Sequence, residues 1–126
     1  MAEIKSFRDL KVWQKAHELV LCVYKITAKF PSEERYGLVS QARRAAVSVA
    51  ANIVEGFRRI SAKESLRFYD ISNASLEELR YEMQVSFDLR YIAKGDFDEV
   101  NANMEEVSKM LNAWIQSQLK NSKQVH

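Results

Sequence analysis

Residues 38–56 read LVSQARRAAVSVAANIVEG, and this stretch decides the fold. Its apolar residues recur at steps of three and four, the spacing of one helical face: Leu38, Ala42, Ala45, Val49, Ile53 and Gly56. A second face carries Val47, Ala50, Ala51 and Val54. Most of these side chains are small, so neighbouring helices can approach closely. The stretch is therefore predicted to be a helix that packs on more than one side.

A line of polar side chains runs between these two faces at helical spacing: Gln41, Arg44, Ser48, Asn52 and Glu55. Polar groups that are buried must satisfy one another, because an unpaired group loses its hydrogen bonds to water. We therefore interpret the line as a hydrogen-bonded seam that fixes helix register, with Asn52 predicted to be buried. A ligand site and a contact with nucleic acid or protein are the alternatives.

Helix signals continue on both sides of this stretch. Pro31 ends a preceding helix, and Ser61 with Glu64 forms a capping box that opens a following one. Gly95 is the expected left-handed stop of that helix, and Asp96 the expected cap of a fourth. The predicted helices span about 7–29, 33–57, 61–94 and 97–120, with a frayed tail at 121–126.

Short loops between four helices make sequential neighbours antiparallel. The chain has only one proline and three glycines, a composition that favours long helices over strands. At 126 residues it fits one domain, residues 1–126. The predicted fold is all-α, an up-and-down antiparallel four-helix bundle.

The third helix carries two apolar stripes. One is Leu66, Tyr69, Leu76, Met83, Phe87 and Tyr91, and the other is Ile71, Ala74, Tyr81, Val85, Leu89 and Ile92. A bundle monomer buries one broad face of each helix, so the second stripe needs another partner. We therefore predict a homo-oligomer.

No residue pattern indicates catalysis, a metal site or a cofactor site. The two histidines, His17 and His126, lack zinc-type or di-iron spacing, and there is no phosphate-binding glycine loop. The carboxylates Glu77, Glu78, Glu82, Glu105 and Glu106 are interpreted as solvated surface. Trp13 and Trp114 lie on heptad stripes, so core packing is predicted over base stacking. We expect a protein that is not an enzyme and has no catalytic residues, no metal and no cofactor.

The chain shows no membrane or secretory signal. The single cysteine, Cys22, excludes an internal disulfide and lies among apolar residues, where burial is expected. The amino-terminal residues lack the apolar core of a signal peptide, and no stretch has the roughly 18 apolar residues of a membrane span. These features predict a cytoplasmic protein.

Charge is distributed unevenly, although the net charge is only +2. Residues 35–67 hold seven basic and two acidic side chains, whereas residues 68–106 hold ten acidic and three basic ones. Candidate nucleic-acid contacts in the basic window are Arg43, Arg44, Arg58, Arg59, Lys63 and Arg67. Arginine grips phosphates through a planar fork, and several together bind nucleic acid irrespective of sequence. The alternative is a solvated surface with salt bridges between subunits.

Residues 41–56, QARRAAVSVAANIVEG, resemble a known family when taken with four other segments. These are FRDLKVWQ at 7–14, FPSEERYGL at 30–38, KESLRFY at 63–69 and SLEEL at 75–79. Together they resemble the four-helix-bundle proteins encoded in intervening sequences of bacterial 23S ribosomal-RNA genes. That family is similar to the accessory variability proteins of diversity-generating retroelements. The resemblance implies a bacterial protein, a homopentamer, and RNA or DNA as a partner; the retroelement proteins are strongly basic, whereas this chain is nearly balanced.

Overall fold

The computed structural model describes residues 3–124, with side chains up to residue 121, and contains four α-helices. They are α1 (Lys11–Thr27), α2 (Leu38–Arg58), α3 (Ala62–Asp88) and α4 (Lys94–Gln124). Each helix packs against its neighbour in sequence, and α4 also packs against α1. The predicted all-α four-helix bundle is confirmed.

The first two helices begin later than their sequence predicted. Phe7–Asp9 form a separate 3₁₀ turn, and Leu10 is extended, so α1 starts at Lys11 rather than at residue 7. Ser32–Glu34 form a second 3₁₀ turn, so α2 starts at Leu38 rather than at residue 33. In both places the residues that were predicted to begin an α-helix form a single 3₁₀ turn instead.

The corner between α3 and α4 contradicts the predicted stop at Gly95. Arg90 takes the left-handed conformation, with φ of 68°, while Gly95 lies inside the first turn of α4. The Tyr91 N–H donates to the Ser86 carbonyl and the Arg90 N–H to the Phe87 carbonyl, both at 2.9 Å. These are the two bonds of a Schellman cap, so α3 ends six residues earlier than residue 94.

The last helix is longer than predicted. It begins at Lys94, so Asp96 lies in its first turn and does not cap it. It continues through Gln124, so the predicted frayed tail is helical as far as residue 124. The remaining two residues of that tail, including His126, lie outside the described residues.

The core contains residues from all four helices that are at most 1% exposed. They include Leu19, Val23, Val49, Ile53, Tyr69, Leu76, Met83, Met104 and Leu111. Cys22 is 8% exposed, as its apolar neighbours predicted. No helix within residues 3–124 combines the length and apolar character needed to cross a membrane.

The α2–α3 pair approaches closely because small residues line the contact. Gly56 of α2 packs directly against the Tyr69 ring, and Ser72 of α3 is fully buried. The Ser72 hydroxyl donates to the Val49 carbonyl at 2.7 Å, which satisfies the hydroxyl without a side-chain partner. This close packing fixes the relative position of the α2 and α3 side chains that form the candidate site.

Candidate nucleic-acid interface

Four of the predicted contacts meet at the turn between α2 and α3. Arg58 ends α2, Arg59 follows it, and Lys63 and Arg67 lie in the first two turns of α3. The turn is fixed by Ser61, whose hydroxyl accepts from the Glu64 N–H at 3.1 Å. All four basic side chains are exposed. We call Arg58, Lys63 and Arg67 the cationic end surface.

Arg59 is held by its own chain and is therefore kept apart from that surface. Its guanidinium donates to the Glu55 carboxylate at 2.9 Å and lies 4.6 Å from the centre of the Phe68 ring. By contrast, no carboxylate of residues 3–121 forms an ion pair with Arg58, Lys63 or Arg67. The cationic end surface thus presents three positive charges that no acidic side chain of residues 3–121 neutralises through an ion pair.

The other two predicted contacts lie elsewhere on α2. A helix rises about 1.5 Å per residue, so Arg44 and Arg58 are separated by roughly 21 Å along it. The Arg43 guanidinium donates to the Thr27 hydroxyl at 2.9 Å and the Tyr24 carbonyl at 3.2 Å, and stacks over the Tyr24 ring at 4.4 Å. It therefore ties α2 to the end of α1. Arg44 is exposed, and the six residues do not form one patch.

The predicted polar seam is present only in its middle. The Asn52 amide donates to the Ser48 carbonyl at 2.8 Å and to the Ser48 hydroxyl at 3.0 Å. Ser48 also shares a hydrogen bond of 2.7 Å with Ser75 of α3. Gln41 and Arg44 are exposed, and Glu55 bonds to Arg59. Asn52 is hydrogen-bonded as predicted but is half-buried, because the seam faces outward between α2 and α3 in the subunit.

The second apolar stripe of α3 flanks this seam and is open in the subunit. Ile71 is 45%, Tyr81 71% and Leu89 51% exposed, and Val47 of α2, next to Ser48 of the seam, is 42% exposed. Ile92, the last member of the predicted stripe, is instead buried in the α3–α4 corner. We call Val47, Ile71, Tyr81 and Leu89 the open apolar face.

Glu82 corrects the interpretation of the carboxylates as solvated surface. It is 5% exposed, and its Oε1 has no hydrogen-bond partner among the described residues. Burial raises the pKa of Glu82 to about 7, with a further contribution from the neighbouring Glu78 carboxylate. Its position was missed in the sequence, although Glu82 follows the buried Ser75 by seven residues, which is two helical turns.

The remaining residues offer no metal site. Within residues 3–121, no three His, Cys, Asp or Glu side chains are grouped so that they could hold a metal ion. His17 stacks on Trp13 with ring centres 5.0 Å apart. Trp13 and Trp114 both pack against the core and are half-buried. The predicted contacts and stripes thus yield three surface features: the cationic end surface, the seam and the open apolar face.

Comparison with known proteins identifies relatives by sequence and by fold. The family model described as "23S rRNA-intervening sequence protein" matches residues 8–113. A crystal structure from Bacteroides thetaiotaomicron, titled as a protein with unknown function from the S23 ribosomal protein family, superposes with a TM-score of 0.74. It is 21% identical, and the match covers 82% of this chain and 97% of that one, which shows a shared fold. A comparison with curated proteins yields no match.

Proposed function

The chain belongs to the family of 23S rRNA-intervening sequence proteins, and from that premise we propose that it is a non-enzymatic oligomeric scaffold that binds RNA or DNA. The observation that carries the proposal is the cationic end surface. Its three charges are exposed and have no acidic partner among the described residues. Phosphate contacts of this kind need no base readout, so the binding would be largely independent of sequence.

Oligomerisation supplies the strength that one subunit lacks. A net charge of +2 and three basic side chains are modest for a single subunit. In a symmetric assembly the surface is repeated, and each further contact forms at the high effective concentration set by the first. Repetition of the surface in the assembly therefore raises the affinity for nucleic acid above that of a single subunit.

The open apolar face supports self-association. Tyr81 is 71% exposed, and Ile71 and Leu89 are exposed at other positions along α3, which places apolar area in water unless another surface covers it. The Ser48–Asn52 hydrogen bonds lie beside this face, where polar pairs can fix the register of a partner helix. We propose five subunits, a number that comes from the resemblance to the retroelement accessory proteins.

The oligomer is tested by light scattering at micromolar concentration. A mass near 14.6 kDa for the unaltered chain would refute self-association. Tyr81→Asp should lower the mass, because it buries a charge in the interface, and Glu106→Gln on exposed α4 surface is the control that should leave it unchanged.

Nucleic-acid binding is tested by titrating labelled RNA and duplex DNA at two salt concentrations. Three neutralised duplex phosphates contribute about −2.7 to the log–log slope for each engaged subunit, or a loss of about 40-fold per engaged subunit between about 50 and 200 mM salt. Lys63→Ala should make the duplex slope shallower by about 0.9 for each engaged subunit. Lys25→Ala removes an equal charge from the distant end of α1 and should leave the slope unchanged. No binding at 50 mM salt with the oligomer intact would refute this part of the proposal.

The alternative is a protein-interaction or structural assembly without a nucleic-acid role. The engagement of Arg43 with Tyr24 and Thr27, and of Arg59 with Glu55, favours it, because these cations serve the fold. An intact oligomer that binds neither RNA nor DNA would establish this alternative.

A further inference from the structure

A cavity opens beside the cationic end surface, between the α2–α3 turn and the last turns of α4. Its volume is about 460 Å³, within the range of roughly 300–1,000 Å³ typical of ligand pockets. Its walls include Phe57, Arg59, Ser65, Tyr69, Trp114 and Gln118. We call it the end cavity.

The shape of the end cavity depends on Gly56. A Cβ at this position would lie 2.8 Å from Cδ1 and 2.9 Å from Cζ of Tyr69, so only glycine admits the ring. Tyr69 is 1% exposed and meets Trp114 edge-on, with ring centres 6.4 Å apart. Trp114 itself is half-buried, so part of its surface faces outward. The aromatic wall is thus held in place by the fold.

The groups that line the open part of the end cavity favour a planar ligand that both donates and accepts hydrogen bonds. The Trp114 Nε1–H is buried and faces the Tyr69 hydroxyl, and Tyr69 is 1% exposed, so both groups belong to the wall of the cavity. Gln118 is half-buried and Asn121 is exposed, and each side-chain amide can donate and accept hydrogen bonds. None of the lining residues is acidic, so they do not repel a nearby phosphate.

We propose that the end cavity receives an unpaired base of a single-stranded nucleic acid whose phosphates lie on the cationic end surface. The inference rests on the proposed nucleic-acid role and adds a preference for single strands to it. Unstacked bases pack on aromatic side chains and form hydrogen bonds through their edges, which the partly exposed Trp114 ring and the Gln118 amide allow. The cavity and the cationic end surface meet at the α2–α3 turn, where Ala62 lines the cavity and Lys63 is the next residue, so a base and a phosphate of one strand can engage both.

The experiment uses Trp114 fluorescence in a Trp13→Phe background, where Trp114 is the remaining tryptophan. The probes are a short oligouridylate, an abasic single strand of equal length, and a blunt duplex. The oligouridylate should bind at least about fivefold more tightly than the abasic strand, the lower limit for one stacked base, and should change Trp114 emission. The duplex should bind without that change.

Ala62→Leu fills the end cavity from the first residue of α3, and Ala102→Leu adds the same group on exposed α4 surface. The first should abolish the advantage of the oligouridylate while leaving the abasic strand unaffected, and the second should change neither. Gln118→Leu provides a second filling variant if Ala62→Leu loses helicity. Equal affinities for oligouridylate and abasic strand, with constant Trp114 emission, would overturn the inference and leave phosphate binding standing. Absence of binding by every probe would overturn both.

Discussion

Replacing Glu82 by glutamine should make the protein more stable at neutral pH. The carboxyl group of Glu82 is 5% exposed, one of its oxygens is unpartnered, and Glu78 lies beside it. Its pKa is therefore raised from an ordinary 4.5 to about 7. At neutral pH the buried environment of Glu82 therefore disfavours its ionised form. Glutamine carries no charge at any pH, so the substitution removes this destabilisation.

The size of the effect follows from proton linkage. Between pH 4.5 and about 7 the unfolded chain releases the Glu82 proton while the folded chain retains it, so stability falls as pH rises through this window. Each unit of difference between the folded and unfolded pKa is equivalent to about 1.4 kcal/mol, so the pKa difference of Glu82 corresponds to about 3 kcal/mol of unfolding free energy. Above the folded pKa the loss is complete, and below 4.5 it is absent.

Urea unfolding at several pH values between 4.5 and 8, at fixed protein concentration, measures this difference. The Glu82→Gln and unaltered proteins should match near pH 4.5 and diverge to about 3 kcal/mol at pH 8. Glu78→Gln is the matched control on an exposed neighbour; it should reduce the pH dependence without removing it, because burial is the larger cause. Unfolding free energies of the unaltered and Glu82→Gln proteins that run parallel across this range would refute the reasoning.

Two further comparisons test the fold and separate it from binding. Gly56→Ala should lower the free energy of unfolding by about 1–3 kcal/mol in thermal or urea unfolding, because its methyl group overlaps the Tyr69 ring. Gly95→Ala meets open space and should raise the free energy of unfolding by up to about 1 kcal/mol. Equal effects of the two substitutions would contradict the packing argument. Arg43→Ala should lower the free energy of unfolding by about 1–2 kcal/mol without changing RNA affinity. Arg58→Ala should weaken RNA binding without changing the free energy of unfolding. Unfolding and titration curves of the two variants, measured side by side, test both expectations.

Helical periodicity was enough to predict the architecture. The steps of three and four in α2 identify residues such as Val49 and Ile53 that the bundle buries completely. The outward stripe of α3 was also readable, because Ile71 and Tyr81 cannot share the face that carries Tyr69 and Leu76. These features depend on spacing alone, which a sequence displays directly.

Features that depend on contacts between helices were not predictable in the same way. Arg90 adopts the left-handed conformation at the α3–α4 corner. Gly95 was predicted there instead, because glycine has no Cβ and adopts this conformation without steric strain. Glu82 is of a charged residue type that is usually exposed, and its burial comes from tertiary packing that helical spacing does not show. The basic residues were close in sequence, but the length of α2 separates Arg44 from Arg58, since a long helix carries its two ends apart.

The left-handed Arg90 is also an opportunity for protein engineering. A non-glycine residue in that conformation costs about 1–2 kcal/mol, so glycine at position 90 recovers part of this energy at the cost of a more flexible unfolded chain. The 27 residues of α3 place this corner roughly 40 Å from the α2–α3 turn. A protein stabilised by Arg90→Gly would therefore remain folded with destabilising substitutions at the α2–α3 turn that would unfold the unaltered chain.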